Sequence, residues 1–594
     1  MGVPIEWPVA RCGDRLFFQR RVAGQDQPVL YATSATDPAA LVELLVDPAA
    51  LAADGAVALD WVAPSRDGAL VAFGLSEGGT ENSTLHVGDE RIPNTRACSL
   101  SWLPDASGFL YTRYPEGDQY NRHVYRHALG THWHDDECVF DRLPVSDAWP
   151  SVSVHKAGSH VLVSVGVGWS RTDIHLYDCV AKTWTVVIEG VEANTSLGFD
   201  GARLYGTTDL DAPRGRVIDA PIDDPTAWRT IIPESELVIE SAWRNGDDLW
   251  VSGLRRAVRE LHRHSLDGTH IERVELPALA ELSGATGDHD HAELFIGCAS
   301  FALPSRIYRW TPGAGLAPWG PDPDLPFDPT SIRVRQVTYP SLDGTPIGLF
   351  LVHRTDLTPM ADTPCWLGGY GGFNIASTPG YSASIAAWCE SGGLYALAGL
   401  RGGNEEGEEW HRAGMRGQKQ NVFDDFHAAA DWLVGNGLTN RERLAIRGGS
   451  NGGLLVGAAL TQRPDLCQAV VCEVPLLDML RYPQFLIARL WTHEYGDPDM
   501  ADEFEWLLGY SPYHHVVQGR AYPQTLMITA EGDTRVDPLH ARKMAALLEW
   551  AGSPVRFKQE GRSGHGAGKP VSKLAADAAD VLAFVSGVLG HQPR

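Results

Sequence analysis

The stretch Arg447-Gly448-Gly449-Ser450-Asn451-Gly452-Gly453 places one serine inside a glycine-rich turn. An apolar run, Leu444-Ala445-Ile446, precedes it, and a run of small and apolar residues at 454–460 follows it. This order predicts a strand, a sharp turn and a helix, with Ser450 at the apex of the turn. The Gly448-x-Ser450-x-Gly452 spacing is typical of a nucleophile elbow, where small neighbours permit a strained serine backbone. The alternative is a glycine-rich connection whose serine caps the helix.

Two later segments carry the residues that such a serine needs. Asp533 follows a strand-like run, and a glycine-rich loop presents His565. The order Ser450, Asp533, His565 is that of the α/β-hydrolase triad. An imidazole can take the serine proton and return it to the leaving group, while a carboxylate orients the imidazole. Asp497 and Asp537 are rival acids, although both also fit ordinary turns beside proline.

A second glycine-rich loop predicts the oxyanion site. The segment Gly368-Gly369-Tyr370-Gly371-Gly372-Phe373-Asn374 follows an early strand, where α/β-hydrolases supply half of their oxyanion hole. We expect the Tyr370 hydroxyl and the Asn451 backbone N–H to donate to the developing oxyanion. The other histidines of this half, His514, His515 and His540, are interpreted as packing or surface residues.

The first half of the chain repeats loosely from Trp7 to about residue 315. Each unit has short apolar strands around a polar turn, and the turns recur every ~40–50 residues, the period of propeller blades. Seven such units predict a seven-bladed β-propeller, and a pair of β-sandwiches is the alternative. The turns are Gly13-Asp14, Asp67-Gly68, 105–108, Ala157-Gly158, Asp200-Gly201, Asn245-Gly246-Asp247 and Gly287-Asp288.

A proline- and aspartate-rich segment, 318–329, reads as an extended linker between two domains. After it, strand-like and helix-like segments alternate up to a final amphipathic helix at about 571–589, which indicates an α/β domain with a mostly parallel sheet. We therefore predict a β-propeller domain over 1–325 and an α/β-hydrolase domain over 326–594.

Composition excludes several classes of function. The 594 residues include 75 acidic and 49 basic ones, for a formal charge of −26, which argues against nucleic-acid or anionic-membrane partners. No signal peptide or membrane-spanning run is visible, and the nine cysteines lack C-x-x-C spacing, so we expect reduced thiols in the cytoplasm. Two histidine clusters, 132–138 and 289–291, match no metal-ligand template and are interpreted as solvated loops.

Together these motifs resemble the prolyl oligopeptidase family of serine peptidases. The resemblance covers nearly the whole catalytic half, whereas the propeller half is similar in pattern rather than in motif. It implies a hydrolase domain under a propeller lid that admits short peptides, no cofactor, and cleavage after proline. The matching stretches are 369–374, Leu400-Arg401-Gly402-Gly403, 448–453, Trp491-Thr492-His493-Glu494-Tyr495-Gly496, Asp533-Thr534-Arg535-Val536 and 564–570.

The resemblance also implies a proline pocket. Trp491 matches the ring on which proline stacks, Arg535 matches an arginine that binds a substrate carbonyl, and Phe373, Leu476, Tyr495 and Val536 match the other walls. A flat indole and apolar walls suit an uncharged ring; ordinary core packing is the alternative for Trp491 and Phe373. Members of this family usually carry a helical segment ahead of the propeller, whereas the repeat here begins at Trp7.

Four functions compete at this point. The first is a monomeric proline-specific endopeptidase that hydrolyses short peptides. The second is a relative specialised for one peptide, such as a leader peptidase or a macrocyclase. A catalytically silent propeller binding protein and an esterase are the others; the complete set of Ser450, Asp533, His565 and Tyr370 disfavours the former, and Trp491 disfavours the latter.

Overall fold

The computed structural model describes residues 2–52, 55–277 and 279–592. Seven four-stranded antiparallel sheets form the first half, each built from consecutive strands. In chain order the strands are β1 Ile5–Cys12, β2 Arg15–Arg21, β3 Val29–Ser34, β4 Glu43–Val46; β5 Val57–Pro64, β6 Val71–Glu77, β7 Thr84–Val87, β8 Glu90–Ile92; β9 Leu100–Trp102, β10 Gly108–Arg113, β11 His123–Ala128, β12 Glu137–Phe140; β13 Trp149–Val154, β14 His160–Val167, β15 Arg171–Asp178, β16 Thr183–Ile188; β17 Thr195–Asp200, β18 Arg203–Thr208, β19 Arg216–Pro221, β20 Arg229–Ile232; β21 Val238–Asn245, β22 Asp248–Arg255, β23 Val258–Ser265, β24 His270–Val274; β25 Glu281–Thr286, β26 Leu294–Ala299, β27 Arg306–Thr311, β28 Gly315–Pro318.

These sheets, called blades 1 to 7, confirm the seven-bladed propeller. Each of the seven polar turns quoted above connects the first strand of a blade to the second. The second strands are largely buried, because neighbouring blades cover both of their faces; β10, for instance, is buried throughout. Blade 1 contacts blade 7 through a hydrogen bond from the Glu6 amide to the Ser305 carbonyl (2.9 Å) and an Arg11–Glu293 ion pair (3.1 Å).

The second half contains one eight-stranded sheet, which confirms the α/β-hydrolase domain. The strand order is β29-β30-β32-β31-β33-β34-β35-β36, antiparallel at the β29 edge and parallel from β32 onward. The elements are β29 Ile332–Pro340, β30 Pro346–Arg354, β31 Cys365–Gly369, β32 Leu394–Gly399, β33 Leu444–Gly449, β34 Ala469–Glu473, β35 Gln524–Ala530, β36 Val555–Glu560, α1 Ala383–Glu390, α2 Glu408–Arg412, α3 Gln420–Gly435, α4 Asn451–Gln462, α5 Thr492–Tyr495, α6 Ala501–Tyr510, α7 Leu539–Trp550 and α8 Val571–Leu589.

Helices cover both faces of this sheet. Helices α3, α4 and α7 bury their apolar residues in one cluster, and α1 and α8 bury theirs in another on the opposite face. The second cluster includes Phe301 of the propeller, whose ring meets Phe350 at a centroid distance of 5.6 Å. The two domains therefore share part of a hydrophobic core. Among the described residues no helix is both long and apolar enough to cross a bilayer.

The division at 325/326 stays a prediction, and it lies between the end of β28 at Pro318 and the short 3-10 helix Pro329–Ser331. The histidine clusters interpreted as solvated loops have local partners. His132 and His134 are exposed and stack at a centroid distance of 4.8 Å, and His291 contacts Asp288 at 2.8 Å.

Candidate active site

Ser450 lies at a strained turn between β33 and α4. Its backbone has φ 58° and ψ −120°, and its amide donates to the Glu473 carbonyl at 2.9 Å. Gly448 is required here, because a Cβ at that position would lie 2.0 Å from the Gly452 carbonyl oxygen. The strand–turn–helix order thus holds the serine at the carboxyl edge of the sheet, where α4 begins.

Asp533 and His565 meet at the same edge. His565 Nδ1 lies 2.7 Å from Asp533 Oδ2, while Asp533 Oδ1 accepts the Arg535 and Val536 amides at 2.9 Å each. A buried carboxylate with three donors has one fixed orientation, so it fixes the ring that bonds to it. The rival acids serve local turns: Asp537 Oδ1 accepts the Leu539 amide at 2.8 Å, and Asp497 Oδ1 accepts the Asp499 amide at 3.0 Å.

The two candidate oxyanion donors lie beside Ser450. Burial raises the pKa of Tyr370 to about 12 despite a hydrogen bond with Ser450, so its hydroxyl stays protonated at neutral pH. Asn451, the first residue of α4, is nearly fully buried. Its side chain donates to the Tyr370 carbonyl at 2.7 Å and accepts from the Tyr495 hydroxyl at 2.8 Å. The Asn451 side chain thereby joins the Tyr370 loop to the elbow.

The site faces the propeller across a cavity of about 750 Å³. The hydrolase domain contributes Ser450, His565, Tyr370 and Arg535, and the propeller contributes residues of blades 1 and 7 and the chain before β1. Those propeller residues are Val3, Ile5, Arg21, Ala299 and Ser305. A peptide bound at Ser450 would therefore lie between the two domains.

The five hydrophobic residues expected to form the proline pocket all belong to the cluster that contains α4. Phe373 contacts Tyr495 edge-on at a centroid distance of 5.4 Å. Their side chains are almost fully buried; Trp491 is the most exposed, at 9%. The members are Trp491, Phe373, Tyr495, Val536 and Leu476. They do not line the 750 Å³ cavity, so their pocket role stays a prediction.

Arg535 reaches the propeller. Its Nε and Nη2 donate to both carboxylate oxygens of Glu81, at 2.7 and 2.6 Å, and Arg96 also donates to Glu81, at 2.9 Å. Burial would raise the pKa of Glu81, but the two guanidinium groups lower it. The guanidinium assigned to a substrate carbonyl is thus oriented by a residue from the other domain, which sequence reasoning missed.

The hairpin tip that contains Glu81, residues 78–81 between β6 and β7, contacts both triad loops. The Thr534 hydroxyl donates to the Thr80 carbonyl at 2.7 Å. Gly79 lies against the His565 loop, because a Cβ on Gly79 would be 2.6 Å from the Gly564 amide nitrogen. We call these four residues the blade 2 tip.

A buried ionic cluster, also missed from sequence, lies behind Phe373. Glu494 accepts the Phe373 amide at 3.0 Å and contacts His411 Nε2 at 2.9 Å, and Lys419 lies 3.8 Å from Glu494. Burial alone would lower the pKa of His411, but Glu408 and Glu494 raise it to about 9. From the propeller, the Trp169 ring meets the Phe373 ring edge-on at 4.5 Å.

Comparison with known proteins places this geometry in one family. The model of the "Prolyl oligopeptidase, N-terminal beta-propeller domain" matches residues 4–317, and that of the "Prolyl oligopeptidase family" matches residues 379–592. The chain belongs to the prolyl oligopeptidase family. A prolyl endopeptidase of Elizabethkingia meningoseptica is 32% identical over 602 residues, covering 97% of this chain and 85% of that protein.

Solved structures of the prolyl oligopeptidase family agree over the full length. One, from a study of two prolyl endopeptidases and their inter-domain dynamics, has a TM-score of 0.95 at 35% identity, covering 100% of this chain and 90% of its own. Prolyl oligopeptidase B of Galerina marginata, bound to a 35mer hydrolysis and macrocyclization substrate, has a TM-score of 0.93 at 26% identity with the same coverage. The apo form of that enzyme scores 0.75. The present chain therefore superposes better on the peptide-bound form than on the apo form.

Proposed function

We propose that this chain is a serine endopeptidase that hydrolyses short peptides on the carboxyl side of proline. Membership of the prolyl oligopeptidase family supports the activity. The observation that carries the catalytic assignment is the convergence of strained Ser450, the Asp533–His565 contact of 2.7 Å and the Tyr370 hydroxyl at one cavity.

In this mechanism Ser450 Oγ attacks the carbonyl carbon that follows the proline ring. His565 takes the serine proton through Nε2, because Nδ1 is held by Asp533. The oxyanion accepts hydrogen bonds from Tyr370 and from the Asn451 amide, and each such donor is worth about 3–4 kcal/mol in the transition state. His565 then protonates the leaving amine, and water hydrolyses the acyl-enzyme by the same route.

Substrate binding is assigned to six residues. Trp491 would stack on the proline ring, and Phe373, Tyr495, Val536 and Leu476 would enclose it. No carboxylate belongs to this group, so the pocket favours an uncharged ring over Lys or Arg. Arg535 would donate to a substrate carbonyl from its place beside Glu81.

The test is release of a chromophore from a blocked Gly-Pro anilide, measured beside the matching Gly-Ala compound. We expect the proline compound to be cleaved much faster, and Ser450→Ala to reduce kcat by at least about 1,000-fold without altering the fold. Full activity in Ser450→Ala would refute the nucleophile. Equal rates on both compounds would refute the proline pocket.

A macrocyclase is the second candidate, because prolyl oligopeptidase B of Galerina marginata, solved bound to a hydrolysis and macrocyclization substrate, shares this fold at a TM-score of 0.93. The two activities differ in whether water or a peptide amine takes the acyl group. Mass spectrometry of products from a 25–35-residue peptide with an internal proline separates them, since cyclization loses one water relative to hydrolysis.

We further propose that the enzyme works in the cytoplasm as a monomer, with no nucleic-acid or membrane partner and no cofactor. The formal charge of −26 and nine free cysteines support this assignment. Size-exclusion chromatography with light scattering and cell fractionation test it; a dimer, or activity in the membrane fraction, would contradict it.

A further inference from the structure

Three histidines meet on the outer part of blade 6, far along the chain from the triad. His262 Nδ1 lies 3.2 Å from His270 Nε2. One ring nitrogen from each of His262, His264 and His270 lies within 4.8 Å of the others. Tetrahedral coordination at ~2.05 Å separates nitrogen ligands by about 3.3 Å, so the first pair already has the required spacing.

Strand geometry produces this cluster. His262 and His264 are two residues apart on β23, so both point to the same face of the blade. His264 pairs directly with His270 on β24, because an irregularity in the register between Arg263 and His264 skips Ile271. A His-x-His pair on one strand with a third histidine across the ladder presents three imidazoles toward one point.

The outer nitrogens are already bonded to acceptors. His262 Nε2 lies 2.9 Å from Glu260 Oε2, and His264 Nδ1 lies 3.1 Å from the Gly268 carbonyl. A carboxylate and a carbonyl only accept, so each of these nitrogens carries the proton of the neutral ring. The lone pairs of His262 Nδ1 and His264 Nε2 are therefore left for an ion, as in protein metal sites whose ligands are oriented by outer hydrogen bonds.

Both acceptors are themselves fixed. The other oxygen of Glu260 accepts from Arg255 at 3.1 Å and from Arg273 at 3.3 Å. Gly268 lies in a tight turn against blade 5, where a Cβ would be 2.2 Å from the Ile231 carbonyl oxygen. The support for the two ligands on β23 is thus built into the fold, and His270 is the exposed member of the three.

We propose that His262, His264 and His270 bind one divalent transition-metal ion, Zn²⁺ by preference. Three neutral imidazoles suit Zn²⁺, Cu²⁺ and Ni²⁺, and water would complete a tetrahedral Zn²⁺ site. The neutral His270 ring would release its Nε2 proton to solvent and take up a proton at Nδ1, so that the Nε2 lone pair faces the ion. The bound ion would crosslink β23 to β24 on blade 6.

The test is calorimetric titration of the full chain with Zn²⁺, with Co²⁺ absorption as a probe of tetrahedral coordination. We expect one Zn²⁺ per chain at micromolar or lower dissociation constant. His270→Ala should weaken binding at least ten-fold, and Glu260→Gln should weaken it about ten-fold through the lost outer contact. Binding only at millimolar Zn²⁺, or binding that survives either substitution within two-fold, would overturn the proposal.

Two controls separate this site from other histidines. The double substitution His132→Ala/His134→Ala removes the exposed stacked pair of blade 3 and should leave the one-to-one binding unchanged. His270→Ala should cleave the Gly-Pro anilide at the wild-type rate, which shows that the lost ion was not held at the triad. Loss of stoichiometric binding in the blade 3 variant would place the ion there and contradict the proposal.

Discussion

The turn that carries Ser450 and the loops that carry Asp533 and His565 are held in different ways. The serine is fixed inside the hydrolase domain, by the Gly448–Gly452 approach and the bond to the Glu473 carbonyl. The proposed acid, Asp533, and the proposed base, His565, lie on loops that contact the blade 2 tip of the propeller. The hydrolase domain alone thus holds the proposed nucleophile, whereas contacts with the propeller also hold the loops of the proposed acid and base.

Because of this difference, the positions of the Asp533 and His565 loops depend on how the two domains are arranged. Thr534 and Arg535 bond to the blade 2 tip one and two residues after Asp533, and Gly564 lies against it one residue before His565. Separation of the domains would remove these contacts and leave the elbow intact. We therefore expect changes in the blade 2 tip to alter turnover without touching Ser450.

We expect the largest effect on kcat from neutralising the carboxylate of Asp533. Asp533→Asn should keep the amide contacts but reduce kcat by about 10,000-fold, because an amide does not hold the His565 tautomer. Asp537→Asn is the matched control, since that carboxylate only accepts the Leu539 amide. Steady-state kinetics on the Gly-Pro anilide measure both. Similar losses of kcat in the two variants would contradict the assignment of Asp533 as the acid of the triad.

The blade 2 tip offers a matched pair of glycines. Gly78 and Gly79 both have positive φ, 63° and 72°, so alanine is strained at either position. Only Gly79→Ala would clash with Gly564, whereas Gly78→Ala meets nothing within 4 Å. We expect Gly79→Ala to lower kcat/KM by about 10–100-fold, because small misplacement of a catalytic group is costly.

Kinetics of the two glycine variants test directly whether the propeller positions the His565 loop. Gly78→Ala should stay within about three-fold of the wild type, and both should react with an irreversible serine reagent at Ser450. Equal kcat/KM in the two variants would mean that the propeller does not position the His565 loop.

The sequence predicted those parts of the fold that local rules determine. The seven polar turns marked the first hairpin of each blade, because Asp, Asn and Gly suit tight turns between strands. The elbow and the final helix α8 followed from spacing and periodicity in the same way. The strained φ of Ser450 was predictable because its neighbours are glycines.

Contacts between distant segments were not predictable. Glu81 meets Arg535 across 454 positions of the chain, and nothing near either residue indicates the pairing. The histidines of blade 6 were missed because an irregular register brings His270 beside His264. The His-x-His spacing at 262–264 was the available signal. Trp169 and His411 were missed for the same reason as Glu81.

The propeller also contacts the proposed proline pocket, because the Trp169 ring meets the Phe373 ring edge-on at a centroid distance of 4.5 Å. Trp491→Ala should raise KM for the proline anilide about ten-fold more than for the alanine anilide, since it removes the surface on which proline stacks. Equal losses on both substrates would make Trp491 a core residue. Trp169→Ala, which keeps Trp491, tests whether this propeller residue also contributes to substrate binding beside Phe373.

The smallest expected effect is on stability and concerns the ionic cluster behind Phe373. The pKa of His411, about 9, lies above the ordinary histidine value near ~6.5. The stabilisation that protonated His411 gives to the folded state is therefore complete below about pH 6.5 and is lost as pH rises through 9. His411→Gln should lower the free energy of unfolding by roughly 2–3 kcal/mol at pH 6.5, and the difference should shrink by about pH 9.5.

His427→Gln is the matched control for that experiment. His427 is also buried, but burial lowers its pKa to about 4, so it is neutral in both the folded and unfolded states above pH 7. The change that His427→Gln causes in the free energy of unfolding, measured by urea denaturation, should therefore stay constant from pH 7 to 9.5. If the change in the free energy of unfolding caused by His411→Gln is also constant over this pH range, the imidazole between Glu408 and Glu494 is neutral. The cluster would then hold Phe373 through hydrogen bonds alone, and the pocket wall would not depend on pH.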